Sequence, residues 1–144
     1  MSQKKIFISF FVLTFLIYGS SLFGGFVFDD RGIQEHSLML SSIGNLPETA
    51  LNPYWNIEDK LYRPTTLVSY ALNIIILGGS AFSFHLINLL LYFGICSLIY
   101  LLLRDLCWSS QEHQHRDEWF PYLAALLFLV LPIHSEVVAN ITGR

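Results

Sequence analysis

Hydrophobic positions fall into three long blocks, 6–28, 82–103 and 120–140, and polar positions concentrate in the stretches between them. The first two blocks carry no formal charge. A helix needs about 20 predominantly apolar residues to cross a hydrocarbon core of about 30 Å. The pattern therefore predicts an all-α, polytopic membrane helix bundle with three spans at those positions. Pro132 lies inside the third block, where it removes one backbone hydrogen bond and bends the helix. A membrane tolerates that where neighbours or water repair the gap.

The stretch 29–81 is punctuated by Gly44-Asn45-Leu46-Pro47 and Asn52-Pro53, and it is too short and broken to be a domain of its own. It reads as a loop lying on the membrane. Short surface helices are expected at 33–43 and 48–51, and Tyr54, Trp55 and Tyr62 are aromatic types that settle at headgroup level. Pro64 suits the start of a helix through Leu77, closed by Gly78-Gly79. That helix rises only about 20 Å, so it is interfacial or partly inserted. Thr66, Tyr70 and Asn73 recur on one side of it, and Leu67, Ala71 and Ile74 on another. Residues 104–118 form a hydrophilic connector; its His113 and His115 read as solvated rather than as metal ligands.

Lys4 and Lys5 precede the first block. A signal peptide would have a hydrophobic region of about 7–15 residues, with Gly19-Ser20-Ser21 as the small-residue zone. The apolar run outlasts that length, so it reads as a retained first span. Basic residues divide evenly between the two sides, and the position of Lys4-Lys5 places the N-terminus in the cytoplasm. The loop 29–81 is then extracytoplasmic and 104–118 cytoplasmic.

This topology brings chemistry to one face. Asp29-Asp30 stand where the first block ends, and acids held at that boundary are costly and tend to mark function. Terminating a helix is the plainer account of the same pair. His85, Asn88, Tyr92 and Cys96 follow one helical stripe of the second span. Such a stripe serves either a site or interhelical hydrogen bonds. His134 and Glu136 arrive after the third crossing, at the level of Asp29, Asp30, Arg63 and His85.

Composition agrees with the pattern and adds exclusions. The 144 residues are 53% hydrophobic and 13% charged, against about 25% charged in soluble domains. A net charge of −3 gives no reason to expect nucleic acid as a partner. Cys96 and Cys107 form neither a disulfide framework nor a metal spacing. Asn140-Ile141-Thr142 matches the glycosylation sequon but sits close to the membrane and the chain end. The chain stops just after a hydrophobic segment and reads as the front of a larger protein or as a truncated gene product.

Phe26-Val27-Phe28-Asp29-Asp30, Tyr62-Arg63-Pro64, Phe84-His85-Leu86-Ile87-Asn88 and Pro132-Ile133-His134-Ser135-Glu136 occur in that order, followed by Gly143-Arg144. The ordered set resembles the N-terminal part of the transmembrane and tetratricopeptide-repeat-containing O-mannosyltransferases and their bacterial relatives, glycosyltransferases of the GT-C superfamily. The resemblance covers most of the chain. It implies inverting transfer of a sugar, with mannose the leading candidate, from a polyprenyl-phosphate carrier on the extracytoplasmic face. The acceptor would be a hydroxyl of a protein or glycan, Ser or Thr in the protein case.

The resemblance also implies roles. Asp29 would be the catalytic base, with Asp30 orienting or assisting it. Arg63 would offer phosphate its planar fork of donors. His85, His134 and Arg144 would stabilise developing phosphate charge. Glu136 would position one of these, or join Asp29 and Asp30 around a divalent cation. Two other classes stay open on the residues alone: a transporter component, and a noncatalytic membrane anchor or assembly subunit. Short loops and the absence of sorting signals lean towards a bacterial inner (plasma) membrane, with the endoplasmic reticulum as the alternative.

Overall fold

A computed structural model describes residues 2–51, 62–109 and 119–144, and among them every regular element is helical. Helix α1 (Gln3–Tyr18) tightens into a 3-10 turn, Gly19–Phe23. After the 3-10 turn Phe28–Asp30 come the short helices α2 (Arg31–Glu35), α3 (Ser37–Leu40) and α4 (Leu46–Leu51). Then follow α5 (Pro64–Leu77), the long α6 (Ala81–Ser109) and α7 (Phe120–Val130). A 3-10 turn at Pro132–His134, α8 (Ser135–Ala139) and a last turn, Ile141–Gly143, complete the described chain.

This is an all-α membrane helix bundle. Gln3–Phe23 and Ala81–Cys107 are each long and apolar enough to cross a bilayer, and Phe120–Val130 with Pro132–Ala139 make a third candidate span bent by 53°. Ile8 and Leu16 on α1, Leu98 and Leu102 on α6, and Leu123 and Leu127 on α7 are all exposed. An apolar surface that extensive suits lipid, not water.

Two ends differ from the expected spans. The first helical stretch stops at Phe23 rather than running to residue 28, because Gly24-Gly25 follows, and each glycine costs a helix about 1 kcal/mol relative to alanine. Gly24 is already extended, at φ −71° and ψ 155°. Asp29 and Asp30 therefore begin a new turn instead of ending a membrane helix. At the other extreme, α6 continues past residue 103 to Ser109, with Arg104 and Asp105 in contact on its surface at 3.0 Å. Charge ends an apolar block without breaking a helix. Tyr54, Trp55, His113 and His115 lie outside the described residues.

The punctuation of α5 acts as its sequence suggests. Pro64 opens the helix, where a missing N–H costs nothing. Gly78 closes it in the left-handed region (φ 82°), its N–H donating to the Ile74 carbonyl at 3.0 Å.

The break at Pro132 is repaired from two directions. Proline has no N–H to give the Phe128 carbonyl four residues back. The Tyr92 hydroxyl lies 3.2 Å from that carbonyl and 3.1 Å from that of Leu129, and the Tyr18 hydroxyl donates to Leu129 at 3.1 Å. The two rings meet edge to face at 5.2 Å. Tyr92→Phe should therefore lower stability by about 1 kcal/mol, read as an earlier thermal midpoint of the full-length protein in nanodiscs. An unchanged midpoint would mean that these carbonyls are served by something else.

Burial is organised around two apolar clusters. One lies among α1, α6, α7 and α8, with Phe10, Leu89, Tyr92, Ala125 and Leu129 at its centre. The other packs the loop helices onto α5 and the start of α6 through Ile33, Leu67, Tyr70, Phe84 and Ile141. Most of the buried polar side chains lie along the seam between them.

Candidate functional site

The seam is closed by a carboxylate that joins the first loop to the last turn. Asp30 is fully buried. Its Oδ2 accepts from the Val27 N–H at 3.1 Å and its Oδ1 from the Thr142 N–H at 3.0 Å, across 112 residues of sequence. The last turn is capped locally as well: Asn140 Oδ1 accepts from the Thr142 hydroxyl at 3.0 Å. Asn88 on α6 donates through Nδ2 to the Asn140 carbonyl at 2.9 Å. The sequon asparagine is thus part of the turn's own bonding.

Arg144 is held beside it by neutral groups alone. Nε donates to Asn88 Oδ1 at 2.9 Å, and Nη2 donates to the Phe84 carbonyl at 3.1 Å and to Asn73 Oδ1 at 3.5 Å. Nη1 reaches Ser69 Oγ at 3.4 Å. The guanidinium stands 5.2 Å from the centre of the Tyr70 ring and 5.6 Å from that of Phe84, within cation–π range. Among the described residues no carboxylate pairs with it. Burial pulls its pKa down from the ordinary value while Tyr70 acts in the opposite sense; a guanidinium stays charged nonetheless. Four of its five N–H groups are engaged, so Arg144 is not an open fork. It is an uncompensated charge fixed in place.

His85, one turn before Asn88, is 2% exposed. Neither ring nitrogen has a hydrogen-bond partner among the described residues. Nε2 lies under Gly24, where a Cβ would approach it to 3.1 Å.

The structure thus gathers three of the residues expected at a site: Asp30, His85 and Arg144. Asp29, next to the anchored Asp30, is exposed, as is Arg63 just ahead of α5. Glu136 is exposed on α8. His134 stands apart from the seam, tilted by 38° against Phe128 with ring centres 4.2 Å apart, and 5.8 Å from Tyr92. Tyr92 is two turns of α6 from His85, about 10 Å along the helix. Among the described residues no three His, Cys, Asp or Glu lie close enough to hold a metal ion, so Asp29, Asp30 and Glu136 do not form a donor set. The sequence reading missed Ser69 and gave Asn73 and Thr142 no part. The signal for Ser69 was its position four residues before Asn73, on the same face of α5.

No family model matches this chain, and no solved structure matches it. Curated proteins do. Human protein O-mannosyl-transferase TMTC1 is 32% identical over 145 aligned residues, covering 90% of this chain and 15% of the relative. Human protein O-mannosyl-transferase TMTC4 is 32% identical over 139, covering 88% and 19%. Drosophila melanogaster protein O-mannosyl-transferase Tmtc3 is 30% identical over 151, covering 92% and 16%. The chain spans less than a fifth of the length of each of these relatives. These matches to human and fly proteins lend no support to the bacterial plasma membrane as its location.

Proposed function

This chain is a homologue of one segment of the TMTC protein O-mannosyl-transferases, and from that premise we propose that it is part of a membrane enzyme that mannosylates protein hydroxyls. The donor is a mannose on a polyprenyl phosphate, and transfer takes place at the extracytoplasmic end of the bundle, in the endoplasmic reticulum membrane. The observation that carries this reading is the unequal pair at its centre. Asp30 is buried with both oxygens engaged by backbone N–H groups, which leaves its neighbour Asp29 exposed on a fixed turn.

That division suits inverting transfer. The acceptor oxygen bonds to the sugar carbon while the bond from that carbon to the phosphate oxygen breaks, its electron pair leaving with the lipid phosphate. The hydroxyl proton passes to a carboxylate within hydrogen-bond reach. We assign that proton to Asp29 and the holding of the turn to Asp30. Arg63, exposed ahead of α5, supplies a donor fork to the lipid phosphate. Arg144 acts through its charge, since its donors are largely taken. A noncatalytic anchor would explain Asp30 and Arg144, but it gives no account of an unpaired buried imidazole beside them.

The test is direct. Full-length protein in nanodiscs, given polyprenyl-phosphate-linked mannose and Ser/Thr peptides, should yield O-mannosyl peptide by mass spectrometry. Absence of product, or product formed only from a nucleotide sugar, would overturn the reading.

A further inference from the structure

His85 is the point at which the bonding of the seam is incomplete. Around it Asp30, Asn88, Asn140, Thr142 and Arg144 all have protein partners. The His85 ring, 2% exposed, has none at either nitrogen among the described residues. Leaving a buried donor or acceptor unpaired costs about 1–3 kcal/mol, and roughly 90% or more of buried polar groups in folded proteins are paired. A ring kept bare at that cost, in a seam otherwise so fully bonded, asks for a partner from outside the fold.

Its cover is thin. Nε2 lies beneath Gly24, and both Gly24 and Gly25 are exposed and outside any helix. A Cβ on Gly25 would have nothing within 4 Å. Gly24, a residue without a side chain, therefore lies over the imidazole nitrogen, and Gly25 beside it is open.

The chemistry of the spot narrows the partner. A neutral imidazole offers one N–H and one lone pair, and its tautomer follows whatever binds. A hydroxyl can meet either nitrogen, as donor or as acceptor. Neither sign of charge dominates the spot: the buried Asp30 carboxylate interacts with the ring, and the Arg144 guanidinium is held close by on Asn88 and the Phe84 carbonyl, so an uncharged group fits best. We propose that His85 is a ligand-contacting residue that binds a hydroxyl group admitted beside the Gly24-Gly25 strap, rather than a donor to the leaving phosphate. The assignment rests on the mannosyl-transfer reading, in which hydroxyls are present on both the sugar and the Ser/Thr acceptor.

Full-length His85→Leu and His85→Gln in nanodiscs separate this role from a structural one. Leucine removes an unpaired polar group from a buried position, so the melting temperature should hold or rise. A ligand readout should fall by about tenfold, the size of one lost hydrogen bond. Weaker binding of polyprenyl-phosphate-linked mannose identifies the sugar hydroxyl; a raised KM for the acceptor peptide with unchanged lipid binding identifies the acceptor hydroxyl. Glutamine, which keeps a donor and an acceptor, should recover part of the loss. A wild-type protein that uses both probes, matched within about twofold by His85→Leu, overturns this assignment alone. So does a melting temperature that falls together with the ligand readouts. A wild-type protein that binds neither probe overturns the transfer reading, and this assignment with it.

Discussion

Replacing the two adjacent carboxylates by amides, one at a time, should give opposite results. Asp29→Asn in the full-length protein is expected to keep its melting temperature and lose sugar transfer by about 10²–10⁴-fold, the usual contribution of a positioned base. The side chain is exposed, so its amide disturbs no packing. Asp30→Asn should instead melt early. Both Asp30 oxygens accept backbone N–H groups, those of Val27 and Thr142. An asparagine has one oxygen, and its NH₂ would face the other N–H donor to donor. One buried N–H then loses its partner, at about 1–3 kcal/mol, and transfer falls because the turn carrying Asp29 loosens. If Asp30→Asn held its melting temperature and abolished transfer while Asp29→Asn remained active, the two roles would have to be exchanged.

This division of labour shows where sequence stops being readable. The stripe of His85, Asn88, Tyr92 and Cys96 was visible because helical periodicity is local, and all four residues are buried on one side of α6. The same is true of α5, whose Pro64 and Gly78 mark its ends by backbone conformation alone. Asp29 and Asp30 look alike in sequence. Burial and the bonds to Val27 and Thr142 distinguish them, and nothing near position 30 announces the contact with residue 142. The surroundings of His134 were hidden for a related reason. The proline break was legible but its 53° bend was not, and in the bent chain the ring lies tilted against Phe128. Arg144 was found by resemblance, yet its partners on α5 and α6 show that four of its five donors are engaged within the fold.

Gly143→Ala should be the most damaging small substitution in the last turn. A Cβ at this position would lie 2.6 Å from the Val137 carbonyl oxygen, 2.9 Å from its Cα and 3.0 Å from its carbonyl carbon. All three are backbone atoms, so no side-chain rotation can relieve the clash, and the turn itself must lift away from α8. That turn carries the Thr142 N–H to Asp30 and the Arg144 guanidinium to Asn88. Lifting it strains both links at once, for a loss of about 3 kcal/mol. Gly94→Ala is the matched control: it lies within α6 with nothing within 4 Å of its Cβ position. There alanine should be neutral or stabilising by up to about 1 kcal/mol, through helix propensity. Thermal unfolding of both variants in nanodiscs reads the difference. Equal midpoints would show that the last turn is not packed on α8, and that Asp30 and Arg144 are positioned by something other than the turn between them.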